Sequence, residues 1–300
     1  MTEHTSQALA IASSAGGFKG VFAHGVLSAL EEAGVQAAVY AAASSSVFPS
    51  ISAAIGRANE IGLRYWRSSI ETLKQPGKGM SEVVLQSIAE SGPAFFDDIF
   101  QPGTPRLLLA TSAVITSEAA VQTQSDNARR LGRRLLLLAA RGDSSWAAEH
   151  LRACLFDTAA AQAEHRLTRA NIDAVIYAST RMLHAWSIPA EVAGKPYIDA
   201  CYTCTCPAIE LAQMGYREVI AIATEPGPLY RDIFQSTPIP SNWEGTPIHI
   251  IQPDIDPAQQ GVDFTSMAEE GMVAVYEYGK EKGREFLMAF KQRKTDRERI

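Results

Sequence analysis

The stretch Ala8-Leu9-Ala10-Ile11-Ala12-Ser13-Ser14-Ala15-Gly16-Gly17-Phe18-Lys19-Gly20 reads as a short buried strand running into a glycine-rich turn. Beyond it Val21, Phe22, Val26, Leu27 and Leu30 recur at helical spacing, and Gly34 stands where a helix C-cap belongs. Val39-Tyr40-Ala41-Ala42 repeats the strand signal, and residues 47–55 form a small-residue helix that ends at Gly56. Strand, helix, strand and helix in so few residues imply parallel strands joined by right-handed crossovers. The fold class expected is α/β, a three-layer α/β/α arrangement around a mainly parallel sheet.

The rest of the chain extends that pattern. Residues 57–100 look mostly helical, with Pro93 and an aromatic cluster, Phe95-Phe96 and Ile99-Phe100, that serves either the core or an apolar pocket. Residues 106–116 read as a strand, with residues 119–124 as its expected sheet partner. The Ala-, Leu- and Arg-rich composition of residues 127–170 reads as helices. Residues 219–222 and 247–251 are later strands, and residues 264–290 a closing helical region. Neither an internal repeat nor a linker composition interrupts the sequence, so one domain over residues 1–300 is expected.

At 300 residues and 46% apolar the chain can bury a large core. Its net charge of −6 argues against nucleic acid as the main partner. The stretch from Lys280 to Ile300 is richer in Lys and Arg, and reads as a solvated helix or as an anchor for anionic headgroups. No apolar run reaches the ~18 residues of a membrane span, and Met1 to Gln7 lack a basic n-region. The expectation is a cytoplasmic protein. Cys154, Cys201, Cys204 and Cys206 are then reduced thiols, and no second ligand pair supports a metal site.

A glycine turn between strand and helix gathers backbone N–H groups at a helix N-terminus, where negative charge is favoured. That charge is a nucleotide phosphate or the oxyanion of a tetrahedral intermediate. A dinucleotide site wants an acid near the end of the next strand. This strand ends instead in Ala42-Ala43-Ser44-Ser45-Ser46. Ser44 between small flanking residues suits a nucleophile elbow, which leaves no room for bulky neighbours. Far downstream, Tyr197-Ile198-Asp199-Ala200-Cys201 offers a carboxylate, with Pro207 eight residues beyond the Asp.

These segments resemble the patatin-like phospholipase family, which carries G-G-G-x-[RK]-G, then G-V-L-x-x-L-E-E-x-G, then G-x-S-x-G, and later D-G-[GA]. Ala15 to Gly20, Gly25 to Gly34, Ala42 to Ser46 and Asp199 to Cys201 match in that order, and residues 57–170 match only loosely. The resemblance implies a Ser–Asp dyad that hydrolyses acyl esters of lipids, transiently at a membrane surface, without metal or cofactor. Ser44 is then the nucleophile and Asp199 its base, with the Gly16, Gly17 and Phe18 amides as the oxyanion hole. Lys19 holds the loop or meets an anionic headgroup.

Four family glycines are replaced, by Ala15, Ala42, Ser46 and Ala200. That leaves open an impaired protein that binds lipid or a protein partner through the same cleft. Ser45 is the alternative nucleophile. A triad using His249, with Ser44 and Asp199 in α/β-hydrolase order, is a further alternative, and His24 lies one helical turn beyond the glycine loop.

Overall fold

The structure, a computed structural model, describes residues 9–298, with side chains through residue 292. The readings of Met1 to Gln7 and of the last charged side chains lie outside the described residues. In chain order the elements begin with β1 Leu9–Ser13, α1 Gly20–Glu32, β2 Val39–Ala43, α2 Val47–Ala54, α3 Ala58–Leu73 and α4 Met80–Asp97. They continue with β3 Arg106–Val114, α5 Ser117–Gln124, α6 Ala128–Ala139, α7 Ser145–His150, β4 Leu151–Asp157 and α8 Ile172–Thr180. The last are β5 Glu191–Val192, β6 Lys195–Ile198, α9 Ala208–Gln213, β7 Glu218–Ile222, β8 Asn242–Trp243, β9 Thr246–Ile251 and α10 Glu269–Glu298.

One sheet runs in the order β5-β6-β3-β2-β1-β7-β9-β8, with β4 also paired to β3. Its centre is parallel, from β3 through β2, β1 and β7 to β9, and antiparallel pairs lie on either side. Alternation along β1 sends Ile11 into the core beneath α1, while Ala10 and Ala12 face α9 on the other side. Helices therefore cover both faces of an α/β sheet. None among the described residues is long and apolar enough to cross a membrane.

Two sequence expectations fail in one region. Residues 119–124 are not a strand, because Thr116 caps a helix there, its Oγ1 accepting the Ala119 N–H at 3.3 Å. The partner of β3 is instead β4, inside the stretch read as helical. It fills the open antiparallel edge of β3 from Leu108 to Val114, its Cys154-Leu155-Phe156 run lying opposite Leu109 to Thr111. Composition hid this strand, since a short apolar run among helix formers looks the same either way.

β3 is the ruler for the site. β4 occupies one of its edges from Leu108 to Val114, so β2 and β6 share the other. Ala43 ends β2 opposite Ala110, and Ile198 ends β6 opposite Ser112, two residues further along β3. Residues 44 and 199 thus leave their strands side by side, at roughly two strand residues' separation, ~7 Å of backbone.

The closing helix packs against α1, which is itself buried almost all round. Helix α10 can approach so closely because the contact is made through Gly25 and Gly279. A Cβ at Gly279 would lie 2.2 Å from the Phe22 carbonyl oxygen. The basic residues at the start of the charged tail belong to this seam. Lys280 and Arg284 pair with Glu32, and Lys282 with Asp254, so the solvated-helix reading suits them. Gly279→Val is expected to lower unfolding free energy by about 3 kcal/mol in urea denaturation, the upper end for overpacking, because backbone blocks relief. A loss under ~0.5 kcal/mol would contradict the close seam.

Candidate active site

Strand β2 ends in extended geometry at Ala43, and the chain reverses at Ser44, whose φ is +53°. A non-glycine residue there carries ~1–2 kcal/mol of backbone strain. Neighbours hold it in place. The Ser44 N–H donates to Ser179 Oγ at 3.0 Å, and Ser46 Oγ donates to the Ser14 carbonyl at 2.6 Å, tying the serine turn to the glycine turn. The four residues that replace family glycines, Ala15, Ala42, Ser46 and Ala200, all have negative φ or extended backbone. Nothing in their conformation demands glycine, so their small size suffices.

Ser44 Oγ donates to Asp199 Oδ2 at 2.7 Å, with both residues buried. The other carboxylate oxygen accepts the Cys201 N–H at 2.8 Å. Behind it, Ser112 Oγ donates to the Asp199 carbonyl at 2.7 Å, fixing the acid's backbone to β3. Burial pushes the Asp199 carboxyl up to about 6, against the hydrogen bonds from Cys201 and Ser44 that favour its ionised form. It is ionised at neutral pH, and more basic than an exposed carboxylate.

The glycine loop lies alongside. Gly17 has φ +57° and borders the same cavity as Ser44. A Cβ there would sit 2.1 Å from the Phe264 carbonyl oxygen, and one at Gly16 2.2 Å from Thr224 Oγ1. Among the described residues the N–H groups of Gly16 and Gly17 have no protein acceptor. The Phe18 N–H does: it donates to the Phe264 carbonyl at 3.1 Å. Of the three expected oxyanion donors, two are therefore available in this conformation and Phe18 is not. Lys19 is buried and bridges Glu225 at 2.5 Å and Asp256 at 2.9 Å, so in this conformation its ammonium is engaged in clamping the loop.

The alternatives fall elsewhere. Ser45 also lines the cavity at Ser44, but its Oγ is buried without a partner beside Gly20 at the start of α1, and Asp199 Oδ2 accepts from Ser44 instead. His249 meets Glu218 Oε1 at 3.0 Å and packs on Phe286 and Phe290. His24 accepts the Trp66 indole N–H, contacts the Ala58 carbonyl, and is held neutral by burial, which pushes its pKa down to about 4. Cys201 donates to Met182 Sδ, and all four thiols are free. Cys154 lies 3.4 Å from His165 Nδ1, but burial pushes its thiol up, so it is not a ready nucleophile. No group of three metal-ligating side chains occurs among the described residues.

The cavity at Ser44 holds about 30 Å³, enough for roughly one or two waters. Its roof is Trp66 of α3, with Met80, Val83 and Val84 of α4 and Trp186 beside them. Phe95, Phe96 and Ile99 pack in the core and do not line it. Larger hollows of 430–620 Å³ elsewhere on the surface contain neither Ser44 nor Asp199. Sequence reasoning missed Ser179, Ser112 and the Trp186 wall, since single hydroxyls and aromatics carry no local signature. No protein-family model and no curated protein matches the chain.

A folded-state pKa above the unfolded value means Asp199 favours folding only at low pH, and that contribution is lost as pH rises through about 6. Asp199→Asn removes the titration. It is expected to gain stability over the parent between pH 4 and 8, by an amount on the order of 3 kcal/mol. Urea denaturation across that range checks it. A parent-minus-variant difference that is flat with pH would refute the buried, raised carboxyl.

Proposed function

We propose that the chain is a serine acyl hydrolase of patatin-like architecture, cleaving lipid or related acyl esters through an acyl-enzyme. The single observation behind this reading is the 2.7 Å hydrogen bond from a strained, positive-φ serine to a buried carboxylate. Ser44 Oγ attacks the ester carbonyl while its proton passes to Asp199 Oδ2. The oxyanion takes the free Gly16 and Gly17 N–H groups, each such donor lowering the barrier by roughly 2.7–4 kcal/mol. As the tetrahedral intermediate collapses, Asp199 returns the proton to the departing alkoxide. Water then enters and gives a proton to Asp199 as its oxygen adds to the acyl carbon; when the bond to Ser44 Oγ breaks, Asp199 returns that proton to Oγ and the free acid leaves. No metal or organic cofactor is needed, and free thiols suit a reducing cytoplasm.

The roof must move to admit a substrate. Both of its helices contain a break, α3 at Gly62 and α4 at Gly92 before Pro93, which makes a shift of this hairpin the natural route. A second reading, a lipid- or partner-binding protein without turnover, is favoured by the small cavity and by the capture of the Phe18 N–H by Phe264.

A short-chain p-nitrophenyl ester and a fluorophosphonate probe separate the two. Turnover should rise with pH through about 6 and then level, because only the ionised acid accepts the proton. Ser44→Ala should lose labelling and drop kcat/KM by about 10³-fold or more. Ser45→Ala and His249→Ala should stay within about threefold, as surroundings outside the reacting atoms. A folded parent that neither labels nor turns over would favour the binding protein.

A further inference from the structure

Helix α6 carries Arg129, Arg130, Arg133 and Arg134, all exposed, and no acid. Among the described residues these four side chains form no ion pair and no hydrogen bond. In a chain of net charge −6 that is unusual company, and Lys280, Lys282 and Arg284 of α10 are by contrast all paired. The acids flanking the helix are Asp126, three residues before Arg129, and Asp143 beyond its end, which accepts the Ser145 N–H at 2.9 Å and feels Arg134 and Arg141 only as nearby charges.

Apolar surface lies on the same ground. Leu137, one turn beyond Arg133 and Arg134, is 62% exposed, and Val121 on α5, which packs on α6, is 71% exposed. The inner face of α6 leads toward the site. Gly132 packs so tightly on the segment after α8 that a Cβ there would meet the His184 backbone nitrogen at 2.3 Å. The His184 ring contacts Phe264, and Phe264 contacts Trp186, which walls the cavity at Ser44.

We propose that α6, with Leu137 and the neighbouring Val121, is the surface by which this protein docks on an anionic lipid bilayer. The assignment rests on the acyl-hydrolase reading for its purpose, bringing lipid to the site, but not for its detection. Arginines supply attraction to headgroup phosphates, and exposed Leu and Val enter the boundary beneath them. Nucleic acid fits worse, because its phosphates would leave Leu137 and Val121 with nothing to cover them.

The test uses Ser44→Ala protein, so hydrolysis plays no part, and vesicles of phosphatidylcholine with or without phosphatidylserine. Binding should require phosphatidylserine and weaken with added salt. Each arginine is expected to contribute about fivefold. The quadruple variant R129Q/R130Q/R133Q/R134Q should therefore bind about 600-fold more weakly, with an unchanged melting temperature. Leu137→Ser should weaken binding without altering the salt dependence. A parent that ignores anionic vesicles, a quadruple variant that binds as the parent does, or binding of duplex DNA in place of vesicles would each overturn the proposal. Because fluorophosphonate labelling of the wild-type protein is read separately, loss of docking and loss of catalysis remain distinct outcomes.

Discussion

The hydrogen bond between Ser44 and Asp199 joins segments 155 residues apart, and it is β3 that makes the meeting possible. Neither residue belongs to β3. Each follows a strand that pairs with one edge of it, β2 through Ala43 and β6 through Ile198, while β4 holds the opposite edge. The separation of hydroxyl and carboxylate is therefore set by strand register, among the stiffest distances a fold provides. Ser112 adds a direct tether from β3 to the Asp199 carbonyl. A shift of β6 by one residue would turn the acid to the other face and dissolve the pair.

That arrangement stores free energy in two forms. Ser44 sits in the left-handed region, and Asp199 is a buried acid met by the Ser44 hydroxyl and by Cys201, with no basic side chain in an ion pair with it among the described residues. Both are unfavourable for folding, and under the proposed function that cost is what an active centre exacts. The surroundings oppose the strain with bonds that do no chemistry: Ser46 to Ser14, Ser44 to Ser179, and Lys19 to Glu225 and Asp256. The third region near the site, the turn carrying Phe264, works differently, since its carbonyl occupies the Phe18 N–H.

Local sequence was most readable where one period dominates. The β1–α1–β2–α2 run has clean apolar spacing and glycine punctuation, and its elements lie where that spacing puts them. Ser44 and Asp199 were legible because each sits in a short pattern of small residues next to a strand. What brings them together was not, since register between distant strands leaves no mark in either segment. Strand β4 was hidden by its helix-rich setting, and α5 by an apolar pair that a Thr116 cap turned into a helix. The capture of the Phe18 amide was likewise invisible, because it depends on a carbonyl nearly 250 positions away. The glycine replacements could not be weighed from sequence on one point: the strained φ belongs to Ser44 and not to its neighbours, so backbone conformation does not require glycine at any of the four positions.

The most direct measurement is a crystal structure of the protein after treatment with a small fluorophosphonate. The account predicts phosphorus bonded to Ser44 Oγ, the carboxylate of Asp199 still beside that oxygen, and the phosphoryl oxygen within about 3 Å of the Gly16 and Gly17 N–H groups. An unmodified Ser44, or phosphorus on Ser45 or any other serine, would contradict it.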